Sequence, residues 1–196
     1  QALEVISASQ EQFDVVALSA ARSLDRLIEQ ARQYHPRLVI VDRPEDVAVV
    51  ASALPGTLEV TCGESGLTAA AAMADISVNA IVGFAGLPVT LASLAAGRRL
   101  ALANKESLIT AAPLVERVRS TKGASLIPVD SEHCAIFQCL NGVSGEDRSV
   151  RRLILTASGG PFRGRTSATL HDVTVAEALA HPTWSMGPKI TIDSST

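Results

Sequence analysis

Apolar residues recur along this chain in two alternating rhythms. Short continuous or β-branched runs occur at residues 13–18, 38–41, 58–61, 78–82 and 99–103. Each is followed by a stretch in which apolar residues return every three or four positions. Continuous runs of this length predict strands covered on both faces, and the longer period predicts amphipathic helices. Ser23 is placed to cap a helix through about residue 34, with Leu24, Leu27, Ile28 and Ala31 on one face. Pro44 opens the next helix. Further helices are expected over 66–74, over 88–96 up to Gly97, and over 106–119. Such alternation predicts an α/β fold, a Rossmann-like parallel sheet with right-handed crossovers. Ligands of these sheets bind outside the carboxyl ends of the strands.

After about residue 125 the rhythm changes. Residues 125–129 lead into Asp130-Ser131-Glu132-His133, and 141–149 are polar. A strand is expected over 153–157, ending in Ser158-Gly159-Gly160-Pro161. Thr174 with Glu177 is a capping box for a short helix that stops near His181-Pro182. The domain boundary is expected within 121–128, dividing the chain into 1–127 and 128–196, the second part being the start of an α+β domain. Leu3 and Ile6 have helical spacing with no cap before them, and 189–192 alternate like a strand that stops before a loop. Both ends therefore read as cut from a longer polypeptide.

Composition narrows the function. Hydrophobic residues make up 47% and charged residues 19%, which excludes a disordered polyelectrolyte. Aromatics are only 3%, so the core must be built from Ala, Leu, Val and Ile. The net charge of −3 argues against a nucleic-acid binder but leaves room for one phosphorylated small molecule. No apolar run approaches the ~18 residues of a membrane span, and no basic-then-apolar leader is seen. Cys62, Cys134 and Cys139 read as reduced thiols, so a cytoplasmic setting is expected.

Candidate chemistry gathers where strands end. Asp130 and Glu132 share a face if the segment is extended, and paired carboxylates suit a hard divalent cation, Mg²⁺ or Mn²⁺. A solvated acidic loop explains them equally well, and two ligands need a third. Ser158-Gly159-Gly160 follows a strand and lets backbone N–H groups approach a phosphate, although a plain tight turn has the same composition. In Ala103-Asn104-Lys105-Glu106 a strand hands over to a helix. Lys105 is placed to hold a substrate oxygen, with Asn104 and Glu106 on a cofactor. Capping accounts for the asparagine and the glutamate but not for the lysine. At the end of an early strand, Ala20-Ala21-Arg22-Ser23 has an arginine where an NAD-preferring fold places an acid. A dinucleotide here would be NADPH, its 2′-phosphate on Arg22; the alternative is a solvent-facing arginine. Trp184 lies on a loop between Pro182 and Gly187 and reads either as a water-excluding lid or as a core anchor. His35 and His171 read as surface residues, and His133 lies beside the carboxylates.

Four segments, Ala101-Leu102-Ala103-Asn104-Lys105-Glu106-Ser107, Pro128-Val129-Asp130-Ser131-Glu132-His133, Thr156-Ala157-Ser158-Gly159-Gly160-Pro161-Phe162-Arg163 and His181-Pro182-Thr183-Trp184-Ser185-Met186-Gly187, together resemble the 1-deoxy-D-xylulose 5-phosphate reductoisomerases. The resemblance runs in order over essentially the whole chain. It implies NADPH- and metal-dependent isomerisation and reduction of 1-deoxy-D-xylulose 5-phosphate to 2-C-methyl-D-erythritol 4-phosphate, in a homodimer of the bacterial cytoplasm, or of a plastid in a plant-type source. It implies that Asp130 and Glu132 hold the metal, and that Lys105 and His181 join them as catalytic residues. Lys105, Ser131, Glu132, Ser158, His181, Trp184 and Ser194 then contact the substrate. Ala21, Arg22, Ser23, Asn104, Glu106 and Gly187 contact NADPH. Ala21-Arg22-Ser23 stands where the family has Gly-Lys/Arg-Asn, which keeps the phosphate partner and alters the backbone approach at Ala21. The family's Gly-rich loop would precede Gln1. Its Met-Asn-Lys-Gly-Leu-Glu run, with the third carboxylate, and its C-terminal helical domain would follow Thr196. Another Rossmann-type NADP-dependent dehydrogenase leaves the Asp130/Glu132 pair and the Ser158-Gly159-Gly160 loop without work. A non-catalytic nucleotide-binding fragment is the third alternative.

Overall fold

The structure is a computed structural model and describes residues 1–9, 11–141, 150–156 and 159–193. They fall into two compact units, Gln1–Asn141 and Gly142–Thr196.

In the first unit the expected parallel α/β architecture is present as two three-stranded sheets. One has the order β1 (Ala17–Ala20), β2 (Leu38–Val41), β3 (Glu59–Cys62). The other has the order β4 (Ile76–Asn79), β5 (Arg99–Leu102), β6 (Ser125–Pro128). Every pairing is parallel. All four residues of the central strand β2 are buried, as a strand covered on both faces requires. The first and fourth strands of the pattern are shifted in their limits. β1 starts at Ala17 rather than at residue 13, where Phe13 is exposed, and β4 runs from Ile76 to Asn79 rather than from 78 to 82. Residues 80–83 instead turn away, because their carbonyls serve side chains and not a strand ladder.

Helix α1 (Ala2–Ser7) precedes the strands, and one helix follows each of them: α2 (Leu24–Tyr34), α3 (Pro44–Ala53), α4 (Gly63–Met73), α5 (Leu87–Ala95), α6 (Glu106–Arg119) and α7 (Ser131–Leu140). On α2 the expected face is the inner one: Leu27 and Ala31 are buried, with Leu24 and Ile28 packed beside them. These join Val39, Val41, Val50 and Leu54 in one core. A second core holds Leu87, Leu94, Leu100, Leu102, Ala111 and Val115. α4 lies close on the first sheet because Gly66 has no side chain. A Cβ there would stand 2.6 Å from Thr61 Cγ2 and 3.1 Å from Ile40 Cγ2. Pro113 lies inside α6, and two residues earlier Ala111 leaves helical geometry (φ −135°, ψ 30°). Proline lacks the amide that would bond back along the helix and crowds the preceding turn, which accounts for the kink.

The second unit contains a 3₁₀ turn (Ser167–Thr169), α8 (Val175–Ala178) and α9 (Pro188–Asp193), and no strand among its described residues. Thr174 and Glu177 form the expected capping box at α8. Two expectations are corrected. The alternating run 189–192 is helical: Pro188 starts α9, Thr191 N donates to Gly187 O at 3.1 Å, and Lys189 pairs with Asp193 at 2.8 Å one turn on. Four alternating residues are too few to separate the two periods, and a leading proline decides for helix. Residues 153–156 are not a strand, since among the described residues no strand offers a ladder to pair with, and Ala157 lies outside the described residues.

Candidate active site

Strand register builds the site of the first unit. Asn79 pairs with Leu102, and Leu102 with Pro128, so three strands end at one level. Two further backbone bonds continue the alignment, Ala103 N to Asn79 O (3.0 Å) and Val129 N to Leu102 O (2.9 Å). Lys105 and Asp130 therefore leave adjacent strands side by side on the carboxyl edge. Both are partly buried, as is Glu132.

Asp130 and Glu132 do come together, but not on an extended chain as expected. Asp130 is the N-cap of α7, and Glu132 lies in that helix's first turn. The turn brings Glu132 close enough to act on the Asp130 carboxyl. Burial, the largest single influence on Asp130, pushes its carboxyl up. The hydrogen bond and charge of His133, the contact with Glu132 and the Lys105 ammonium together outweigh it and hold Asp130 below the usual carboxylate value. His133 Nδ1 is 2.9 Å from Asp130 Oδ1, which settles its place beside the carboxylates. Ser131 Oγ donates to Glu132 Oε2 at 2.7 Å.

Two carboxylates facing a lysine form an acidic pair of hard oxygen donors, which fits Mg²⁺ or Mn²⁺. Among the described residues no group of three or more His, Cys, Asp or Glu is placed to complete the set.

Asn104 is 1% exposed, and its side chain is fully engaged. Its amide donates to Ile81 O (2.5 Å) and Gly83 O (2.8 Å). Its Oδ1 accepts from Ser107 N (3.0 Å) and Ser107 Oγ (2.5 Å). All four hydrogen-bonding capacities of the amide are thus used within the protein. Any ligand contact at this position falls to the backbone. Glu106 follows in the first turn of α6, partly buried.

At the other sheet, Ala20 and Val41 are in register, so Ala21-Arg22-Ser23 and Asp42-Arg43 leave together. A recess of about 340 Å³ between them is lined by Ala21, Arg22, Leu24, Asp42 and Arg43. Arg43 is committed to Asp46, at 2.9 and 3.1 Å, and to Glu45. Arg22 makes no ion pair with any described residue. It is the cation left for an anion at this edge.

In the second unit His181 organises its own loop. Its Nδ1 accepts from the backbone N–H groups of Thr183 (3.1 Å) and Trp184 (3.0 Å). Nδ1 must then be bare, so Nε2 carries the proton and donates it to Gly159 O at 3.0 Å. A recess of about 390 Å³ runs along Leu179–Met186 and Thr191. Trp184 is 59% exposed, so it is not a core anchor. Gly187 is exposed, and its carbonyl caps the first turn of α9. Ser158 and Ser194 lie outside the described residues, as do positions 142–149 of the polar loop.

Sequence reasoning missed Asn79, Thr90 and Ser107, which continue the Asn104 bonds into the interior. Their signal was weak but present: Thr90 and Ser93 are hydroxyls in an otherwise apolar α5.

The family model of 1-deoxy-D-xylulose 5-phosphate reductoisomerase matches residues 1–112, and that of the reductoisomerase C-terminal domain matches residues 126–196. A 1-deoxy-D-xylulose 5-phosphate reductoisomerase of Thermosynechococcus vestitus is 47% identical over 201 residues, covering 100% of this chain and 48% of the relative. One of Halalkalibacterium halodurans is 48% identical over 198 residues, covering 100% and 51%. The chain spans about half the length of the curated relatives it matches. A crystal structure of DOX-P reductoisomerase in complex with NADPH, fosmidomycin and magnesium superposes with a TM-score of 0.89 at 36% identity, over 98% of this chain and 50% of the other. The Zymomonas mobilis enzyme in complex with NADPH gives 0.86 at 40% identity, over 98% and 50%. Two successive family models, similarity over the whole of this chain at nearly half identity and a matching fold agree with the motifs at the strand ends: the chain belongs to the 1-deoxy-D-xylulose 5-phosphate reductoisomerase family.

Proposed function

We infer that the chain supplies part of the active site of an NADPH- and divalent-metal-dependent enzyme that isomerises and reduces 1-deoxy-D-xylulose 5-phosphate to 2-C-methyl-D-erythritol 4-phosphate. The observation that carries this reading is the Lys105–Asp130–Glu132 cluster, set by strand register on the carboxyl edge of a parallel sheet. Relatives solved with NADPH, fosmidomycin and magnesium support the same choice of ligands. Functionally the chain divides into 1–127 for the nucleotide and 128–196 for metal and substrate.

Asp130 and Glu132 would hold the Mg²⁺ or Mn²⁺ ion, with the third carboxylate that the family resemblance implies. When bound, the ion supplies Lewis acidity at the substrate's keto and hydroxyl oxygens, and NADPH supplies the hydride. Lys105 donates a charged hydrogen bond to a substrate oxygen beside Asp130. Ser131 adds a hydroxyl on the same edge. Ser158 and Ser194 bind the substrate phosphate, His181 binds the substrate as a catalytic residue, and the His181 loop presents Trp184 as a cover that excludes water. Arg22 takes the 2′-phosphate of NADPH, with Ala21 and Ser23 alongside and with Asn104, Glu106 and Gly187 on the rest of the cofactor. The enzyme acts as a cytoplasmic homodimer, and the chain by itself holds parts of these sites and is inactive alone.

The test is NADPH oxidation in the polypeptide that carries this chain together with the regions its relatives have beyond it. Turnover of 1-deoxy-D-xylulose 5-phosphate should vanish with a chelator and return with Mg²⁺ or Mn²⁺. Turnover that survives chelation refutes the reading.

A further inference from the structure

Behind the carboxyl edge of the second sheet lies a run of polar side chains sealed from water: Asn79 (1% exposed), Thr90 (0%), Ser107 (0%) and Asn104 (1%). Asn79 Nδ2 donates to Thr90 Oγ1 at 2.9 Å and to Gly86 O at 2.8 Å. Thr90 Oγ1 and Ser107 Oγ are 3.0 Å apart. Ser107 gives its proton to Asn104 Oδ1, so between the two hydroxyls Thr90 must be the donor. The protons therefore point one way, from Asn79 through Thr90 and Ser107 to Asn104, an order in which each bond strengthens the next.

Both ends of this relay grip the same loop. Asn79 Oδ1 accepts from Ile81 N at 3.2 Å while Asn79 Nδ2 holds Gly86 O. Asn104 Nδ2 holds Ile81 O and Gly83 O. The loop of residues 80–86 is thus clamped to the strand-to-helix junction that carries Lys105. The fit is close, because a Cβ on Gly86 would stand 2.6 Å from Asn104 Nδ2. Burying four polar side chains at this depth is costly unless all are satisfied, and an apolar filling would pack as well. A core needs no such device; a junction whose place must be set does.

We propose that Asn79, Thr90 and Ser107 are positioning residues: acting through Asn104, they fix the backbone at 103–107 and so hold Lys105 beside Asp130. None of the three touches the ligand groups. This rests on the reading of Lys105 as a substrate contact.

Thr90→Val removes the relay's central hydroxyl at constant shape, and Thr90→Ser keeps it. In the polypeptide that carries this chain with the regions its relatives have beyond it, Thr90→Val should lower kcat for the keto-sugar phosphate roughly 10- to 100-fold, the scale of a misplaced reacting group, and Thr90→Ser should restore it. Equal kcat in wild type and Thr90→Val, or equal losses in both variants, overturns the proposal. Amide hydrogen exchange gives a readout that needs neither turnover nor a folded variant. In the wild-type protein Ile81 and Ser107 amides, each bonded to one of the two asparagines, should exchange at least about tenfold more slowly than exposed loop amides. Exchange at the exposed rate overturns the relay even if no variant folds. Absence of turnover in the wild-type protein would instead refute the functional reading, leaving the exchange rates to decide the relay.

Discussion

A hydroxyl sealed from water without a partner costs the fold its desolvation. Ser93 on α5 is 0% exposed, and its Oγ has no hydrogen-bond partner among the described residues. One turn earlier Thr90 shows what the same chemistry does when it is satisfied. Ser93→Ala should therefore stabilise the chain by about 1 kcal/mol. That corresponds to a rise in Tm of roughly 2–4 °C for a chain of this size, read by thermal unfolding; a fall in Tm would mean that the hydroxyl is bonded after all. Arg22 is the opposite case, a cation that no described residue neutralises. Its neighbour Arg43 is held above its ordinary value by Asp46, first through the hydrogen bond and then through charge, and is not available in the same way. Arg22→Ala should weaken NADPH binding about 10-fold or more, the worth of one charge-assisted bond, and leave NADH binding unchanged. Equal losses for the two dinucleotides in a binding titration would remove Arg22 from the 2′-phosphate.

Elements in this chain were legible wherever a repeating pattern was long enough to decide between periods. The face Leu24, Leu27, Ile28, Ala31 and the buried run of β2 could be read directly. The Thr174/Glu177 capping box was equally plain, because it depends on two side chains and not on distant packing. The 189–192 run was too short to decide, and 153–156 depends on a neighbouring strand that a local pattern does not reveal. Asp130 and Glu132 were legible as a pair but not as a helix start, since Asp is a good N-cap and also a good loop residue. Two expectations follow at this scale. Gly66→Ala forces a Cβ to 2.6 Å from Thr61 Cγ2 in the seat of α4, so the helix must lift from the sheet. It should cost about 1–3 kcal/mol, although alanine is the better helix former, and denaturant unfolding would show it. Glu177 is held below the ordinary glutamate value, first by the backbone N–H of Thr174, then by its hydroxyl, with Arg165 adding to these. A carboxyl lowered in the folded state stabilises α8 above its unfolded value and loses that contribution as pH falls through the lowered one. In an NMR titration Glu177 should thus titrate below the exposed glutamates, with α8 amides moving at the same pH; titration together with the exposed acids would show that the box does not hold in solution.

The whole molecule has a gradient of burial that bears on how its parts open. Each sheet of the first unit has a central strand at the heart of its own apolar cluster, Val39 and Val41 of β2 in one and Leu100 and Leu102 of β5 in the other. Those residues are between 0% and 4% exposed. In the second unit Leu153, Ile154, Leu155 and Val175 are each more than half exposed. Apolar burial is the main stabilising influence, so local opening should need far less free energy in the second unit than in the sheets. In hydrogen exchange of the 196-residue chain, the amides of β2 and β5 should be the slowest, those of α8 and α9 considerably faster, and those of 150–156 close to unprotected. Uniform protection across both units would contradict this and would place the apolar run 153–155 in a packed setting. The gradient divides the proposed site residues between Gln1–Asn141 and Gly142–Thr196. Asp130 and Glu132, proposed to hold a cation that needs fixed ligands, lie with Lys105 in the first unit, beside its buried sheets. His181 and Trp184 belong to the unit expected to open readily, as the water-excluding cover proposed for Trp184 requires.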